Sequence, residues 1–338
     1  MKILSLFDGI SCARVALERA GIPVEAYYAS EIDKYAIQIA RKNYPSTVHI
    51  GDVKDFTLYG TVYGFNFPKI DLLIGGSPCQ DLSIAKKNRK GLDGERSGLF
   101  WEYVRILREV NPKYFILENV NSMPKEAKEL ITKTLGVEPV MINAALVSAQ
   151  NRKRLFWTNI PNVTQPEDRG ILLKDILENG NSDRLKSYCI DANYAKGASW
   201  KQYIEKGRRQ LVRIRTINKG GQGDRIYSPE GKSVGLSALG GGRGQKTGLY
   251  MIQTPRGYNK GGIKALDGKT PALSSSSWQH NNHLSDGSQI RKLTPIECER
   301  LQGLPDNYTE GISNTQRYKC LGNAFNVDVV AHILSFIK

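Results

Sequence analysis

"KILSLFDGISCARVALERAG", residues 2–21, decides how this chain folds. "KILSLF" is a short apolar run that reads as a buried strand, and "CARVALERAG" spaces its apolar residues as an amphipathic helix closed by Gly21. The pattern repeats outward. "VEAYYASE" reads as a strand and "KYAIQIARKNY" as a helix; "IDLLIGG" is a strand, "LFWEYVRILREV" a helix stopped before Pro112, and "YFILENV" and "VMINAALV" are further strands. Strands separated by helices of this length predict an α/β fold with a mostly parallel sheet over residues 1–160. In such sheets reactive and ligand-binding groups lie beyond the carboxyl ends of the strands. Four groups fall there: Phe7-Asp8-Gly9, Glu31, Ser77-Pro78-Cys79 and Glu118-Asn119.

From about residue 160 glycine, serine and lysine rise and helical periodicity fades. "NKGGQGDRIYSPEGKSVGLSALGGG" at 218–242 is echoed by "NKGGIKALDGKTPALSSSS" at 259–277. The echo reads as a repeated strand-turn-strand unit presenting basic loops, or as a coincidence of turn-rich composition. Regular signals return after about residue 289. In "TPIECERLQG" Thr294 stands as an N-cap, Pro295 at the first helical position, Glu297 completes a capping box and Gly303 is a stop. "NVDVVAHILSFI" reads as a closing amphipathic helix. The expected organisation is an α/β domain (1–160), a mostly β and irregular insertion (161–288), and a C-terminal segment (289–338) that completes the first domain.

The 338 residues carry 48 Lys+Arg against 33 Asp+Glu, a net charge of +15, and the pI is near 9.5. That excess favours a polyanion, nucleic acid ahead of an anionic membrane. No apolar run reaches transmembrane length, and the cations are scattered rather than massed on one amphipathic helix. "MKILSLFDGI" is interrupted by Asp8 and followed by no small-residue cleavage site, so no secretory signal is expected and the setting reads as cytoplasmic. The five cysteines (Cys12, Cys79, Cys189, Cys298, Cys320) are far apart, form no Cys-x-x-Cys pair, and share the chain with four His. Neither a disulfide framework nor a metal site fits this spacing.

A lone cysteine is by default a small buried hydrophobe, and Cys12, Cys189, Cys298 and Cys320 are assigned so. Cys79 differs, because "GGSPCQDLS" (75–83) sets it after Pro78 and a glycine pair at a strand end. A protease would need a histidine base, yet His49, His280, His283 and His332 sit in poorly structured or distant segments. Conjugate addition needs none. Carbon 5 of cytosine is too unreactive to take a methyl group directly, but a thiolate added at carbon 6 turns the ring into an enamine. The addition builds charge on the ring, which calls for a proton donor at N3 and a cation at O2. A carboxylic acid and an arginine are the natural suppliers.

The chain resembles the DNA (cytosine-5) methyltransferases over nearly its whole length. "SLFDGI" is similar to the family's cofactor motif, "GGSPCQDLS" to its Pro-Cys motif, "ENV" to its Glu-Asn-Val motif and "QNRKRLFW" to its Gln-x-Arg-x-Arg motif. "RKLTPIECERLQGLP" and "LGNAFNVDVV" resemble the two C-terminal motifs. Where many members have a second glycine in the first motif this chain has Ser11, and "SLFDGI" is closer to the de novo eukaryotic members and some bacterial and phage relatives. The resemblance implies a Rossmann-like sheet that binds S-adenosylmethionine and releases S-adenosylhomocysteine, with a target-recognition domain as the insertion. It implies Cys79 as nucleophile, Glu118 at N3, Arg154 at O2, and Arg152 on phosphate or bracing the site. It places Phe7, Asp8, Gly9, Glu31, Ile32, Asp52, Val53, Pro78, Leu99, Asn323 and Ala324 around the cofactor. The partner implied is duplex DNA, bound by a monomer in a bacterial or phage-infected cell, with a cognate restriction endonuclease as a candidate companion.

The target base would have to be flipped out of the duplex, and the basic, glycine-hinged stretch 85–98 could close over it. In the repeat, Lys219 and Lys260 are expected on phosphate, and Arg225, Arg243, Gln245 and Arg256 are candidate base readers. Blander readings stand beside these: a strand-end cap for Glu118, a solvated charge run for Arg152 to Arg154, a simple tight turn for Gly9. Other function classes are a catalytically silent DNA-binding relative, opposed by Cys79, Glu118 and Arg154, and an RNA methyltransferase of the same fold, opposed by the long insertion. A nicotinamide dehydrogenase lacks its Gly-x-Gly-x-x-Gly.

Overall fold

Seven strands form one sheet in the order β3-β2-β1-β4-β5-β7-β6. The computed structural model describes residues 1–57, 67–78, 98–180, 182–196, 203, 206, 209–213, 250–253, 262–265, 283–285 and 290–337. The sheet comprises β1 (Lys2–Leu6), β2 (Ala26–Ser30), β3 (Val48–Gly51), β4 (Leu72–Gly75), β5 (Tyr114–Val120), β6 (Val140–Asn143) and β7 (Lys153–Thr158). β1 pairs in parallel with β2 (Ile3 opposite Tyr27) and with β4 (Ile3 opposite Leu72), and β4 in parallel with β5 (Leu72 opposite Tyr114). Only β7 is reversed: it runs antiparallel to both β5 and β6. Every residue of β4 is buried, as a central strand covered on both faces must be.

α1 (Cys12–Arg19), α2 (Lys34–Asn43), α3 (Leu99–Val110) and α4 (Lys125–Leu135) lie between the strands. Asp33 caps α2, its side chain accepting from the Tyr35 and Ala36 amides. The last turn of α4 closes on Gly136 at φ 70°, a left-handed conformation that a Cβ would strain. Sequence reading did not place α4 or recognise β7 as a strand. One core runs through the sheet into α3 and holds Leu4, Leu6, Leu73, Phe100, Tyr103, Leu117 and Trp157, all fully buried.

The C-terminal segment adds α6 (Pro295–Leu301), α7 (Asn314–Asn323) and α8 (Val327–Leu334), after the short α5 (Leu173–Ile176). The capping box expected at Thr294 and Glu297 is present, with Pro295 opening α6. α8 packs on α1, where Arg19 reaches Asp328 at 2.9 Å and the Gly303 carbonyl at 2.7 Å. Glu299 is fully buried. Its carboxylate accepts from the Asn307 and Thr309 amides at 2.7 and 2.8 Å, from Arg317 at 2.8 Å, and from the Thr309 hydroxyl.

The chain divides into two units: residues 1–178, 184–210 and 292–338, and residues 179–183 and 211–291. The separate body is therefore shorter than the 161–288 expected, because most of 161–210 packs with the first unit. Described strands of the second unit are β9 (Tyr250–Gln253), paired antiparallel with β10 (Gly262–Ala265) and β11 (His283–Ser285). β8 (Leu211–Arg213) pairs with β12 (Ile290–Lys292). β10 belongs to the second copy of the repeat, the rest of which lies outside the described residues.

Arg317→Ala removes the cation paired with the fully buried Glu299, and breaking such a pair typically costs about 3–5 kcal/mol. Urea unfolding of the variant is expected to show an unfolding free energy lowered by that amount and a correspondingly lower midpoint.

Candidate active site

The loop after β1 turns sharply, with Phe7, Gly9 and Ser11 all in the left-handed region at φ 56°, 60° and 60°. The turn aims the Gly9 N–H at Glu31, whose Oε2 accepts it at 2.8 Å. Glu31 Oε1 accepts from the Ile32 and Asp33 amides, each at 2.8 Å. Two strand ends are thus tied through one carboxylate. Beside it Ile32 is 71 % exposed, an apolar side chain left open at the carboxyl edge of the sheet. Asp52 caps the turn at Val53–Asp55 through the Lys54 amide at 3.0 Å. Phe7, Pro78 and Leu99 are half-buried, and Asn323 is exposed at the last position of α7.

Three residues expected around the cofactor also make contacts within the protein. The Asp8 carboxylate turns inward, accepting from Ser11 Oγ at 2.5 Å and from the Tyr27 hydroxyl at 2.6 Å. Burial pushes its pKa up, against the pull of those hydrogen bonds. Val53 is a core side chain, and its carbonyl is taken by Arg105. Ala324 is buried, its carbonyl held by Arg152.

The second half of the site follows from the reversal of β7. Glu118 stands opposite Phe156 and Val120 opposite Arg154, so Glu118 and Arg154 meet diagonally on one face. Arg154 Nε lies 2.8 Å from Glu118 Oε1, with both side chains largely buried. Ile142, Phe156, Phe325, Asn326 and Val329 share the cleft with them. Asn119, the neighbour of Glu118, is buried and donates to the Ser77 carbonyl at 3.3 Å and hydroxyl at 3.2 Å. It therefore fixes the chain two residues before Cys79. Cys79 itself lies outside the described residues, as do 85–97 and Lys219, Arg225, Arg243, Gln245, Arg256 and Lys260.

Arg152, expected among the catalytic residues on phosphate or as a brace, is 4 % exposed. Nη1 donates to the Ile190 carbonyl and Cys189 Sγ, and Nη2 to the carbonyls of Gly322 and Ala324. Burial, and then the nearby Arg154, lower its pKa. It ties the start of β7 to two distant segments. Close packing there is absolute: a Cβ on Gly322 would stand 2.3 Å from Asp191 and Ala192 backbone atoms. The role of Gly322 was not read from the sequence; that of Asn119 sits in the Glu118-Asn119 strand end already singled out.

Of the four cysteines expected to be buried, Cys189 is half-buried against Arg152. Cys12, Cys298 and Cys320 are buried, and burial raises each thiol's pKa, that of Cys320 to about 12. Among the described residues no cluster of His, Cys, Asp or Glu could hold a metal ion. No helix among them is long and apolar enough to cross a membrane.

The fold is the Rossmann-like one of solved methyltransferase structures. The chain belongs to the C-5 cytosine-specific DNA methylases, whose family description matches residues 1–338. It is 30% identical over 351 residues to the Type II methyltransferase M.HhaI of Haemophilus parahaemolyticus, covering 98% of this chain and 93% of that one. It is 27% identical to the orphan methyltransferase M.SPRI of Bacillus phage SPR, covering 98% and 96%. The solved structure of the Entamoeba histolytica methyltransferase EhMeth superposes with a TM-score of 0.61 at 15% identity, over 99% of this chain and 97% of that one. The chain is thus a DNA (cytosine-5) methyltransferase.

Arg152→Ala would strand buried carbonyls and open a cavity, a loss of about 3 kcal/mol or more. A lowered melting temperature with an unchanged salt slope of DNA binding is the expected signature; a phosphate contact would instead reduce that slope.

Proposed function

We propose that the protein transfers a methyl group from S-adenosylmethionine to carbon 5 of cytosine in a specific sequence of duplex DNA, after flipping the base and adding Cys79 to carbon 6. The observation that carries the reading is the Glu118–Arg154 pair at 2.8 Å beside a strand end, held by Asn119, that leads to Cys79. Glu118 supplies a proton at N3 and Arg154 balances charge at O2 while the Cys79 sulfur bonds to carbon 6. Carbon 5 then takes the methyl group and gives up its proton to solvent, N3 returns its proton to the Glu118 carboxylate, and the thiolate leaves as the carbon 5–carbon 6 double bond reforms.

The residues present suit the cofactor. Glu31 has filled three of about four acceptor positions with amides, leaving one for a ribose hydroxyl. Exposed Ile32 offers an apolar face to adenine. Phe7, Gly9, Asp52, Pro78, Leu99 and Asn323 would line the rest, with Asp8 supporting the loop from behind. When bound, S-adenosylmethionine supplies the electrophilic methyl group. The second unit is read as the target-recognition domain, with Lys219 and Lys260 on phosphate and Arg225, Arg243, Gln245 and Arg256 as base readers. Its setting would be the DNA-bearing compartment of a bacterial or phage-infected cell, and a monomer would suffice.

Cys79→Ala is expected to abolish methyl transfer while DNA and cofactor still bind, and duplex carrying 5-fluorocytosine should trap the wild-type protein covalently. Residual methylation by the alanine variant in bisulfite sequencing would refute the covalent route. Glu118→Gln is expected to slow single-turnover methylation about a hundredfold with duplex binding retained. Loss of binding at an unchanged rate per complex would make Glu118 structural instead.

A further inference from the structure

We propose that Phe325 is a positioning residue of the active site: its ring fills the space beside Gly76 and thereby sets where the Glu118 carboxylate stands relative to the strand end that runs on to Cys79. The inference rests on the reading of Glu118 as the N3 proton donor. A Cβ built on Gly76 would lie 2.7 Å from Phe325 Cε1, 3.2 Å from Phe325 Cζ and 3.1 Å from Glu118 Oε2. Ring and carboxylate therefore converge on the same bare Cα, one from the last stretch of the chain and the other from β5. Phe325 is 9 % exposed and lines the cleft that holds Glu118, Arg154 and Phe156.

Both partners of this contact are held from behind. On the Phe325 side, Arg152 grips the Ala324 carbonyl at 2.8 Å, while Asn326 donates to the Leu301 carbonyl at 3.0 Å and caps α8 through the Val329 amide at 3.1 Å. On the Gly76 side, Asn119 holds Ser77. A planar ring between two fixed walls cannot yield as a flexible side chain would. Its edge carries partial positive charge, which suits a neighbouring carboxylate. Gly76 is then a glycine because ring and carboxylate already occupy the space of its side chain. A proton donor displaced by about 1 Å loses on the order of a hundredfold in rate, so the contact bears on chemistry rather than on binding.

The test is a double-mutant cycle of Gly76→Ala and Phe325→Leu, read in steady-state methylation of duplex DNA and in melting temperature. Gly76→Ala is expected to lower kcat about tenfold or more, with KM for DNA and for S-adenosylmethionine within about twofold of wild type. Phe325→Leu alone should also lower kcat at unchanged KM, and G76A/F325L should be faster than G76A because the smaller side chain admits the new Cβ. A double mutant as slow as the product of the two singles overturns the proposal, as does a loss that falls on KM. Should Gly76→Ala not fold, Phe325→Leu decides alone: reduced kcat at a retained melting temperature supports the role, and wild-type kcat overturns it. Glu118→Gln in the same assay separates the two layers. If it runs at the wild-type rate, the reading of Glu118 fails and takes the proposal with it; if it is slow while the cycle is additive, the proposal fails alone.

Discussion

One reversed strand organises the active site. Parallel strands deliver their last residues to one edge of the sheet, and a strand running against them delivers its first residues to that same edge. Because β7 is antiparallel to β5, the arginines at its start arrive where Glu118 ends its strand. A parallel β7 would carry Arg154 to the opposite edge of the sheet. The pairing register then does the finer work, setting Glu118 and Arg154 on the diagonal of one face. A slip by one residue would turn Arg154 to the other side.

Buried ionic groups hold the remaining pieces to that edge. Arg152 gathers carbonyls from residues 190, 322 and 324 around one guanidinium. Glu299 does the converse for the turn at 307–309 and for Arg317. Neither group is near-neutral if its partners are removed, since a buried charge without them costs several kcal/mol. They make the C-terminal segment an integral part of the first unit even though most of the second unit separates it in sequence.

Much of this was legible in the chain because it depends on near neighbours. β1, α1, β5 and the capping box at Thr294 follow from periodicity and from signals a few residues apart. Glu31 and Ile32 were legible as a strand end. What escaped depends on distant partners. The partners of Arg152 lie at residues 189, 190, 322 and 324, too far along the chain to be read from its neighbours. Asp8 looked like a ligand-facing acid, and Tyr27 from the next strand turns it inward. Val53 looked available until Arg105 closed over its carbonyl. Residues 184–210, irregular in sequence, pack with the first unit.

The packing of α8 on α1 also sets a timetable for the molecule's making. The contact between Arg19 and Asp328 spans 309 positions, so the cover that α8 gives the first helix arrives only after the intervening chain has been made. At about 5–20 residues per second the wait is on the order of tens of seconds. Contacts of such sequence separation are slow to form even in a finished chain. During that interval Cys12, Ala13, Val15, Ala16 and Leu17, buried in the folded protein, are available to any other exposed apolar surface. Growth temperature and chaperone supply should therefore govern the yield of soluble protein.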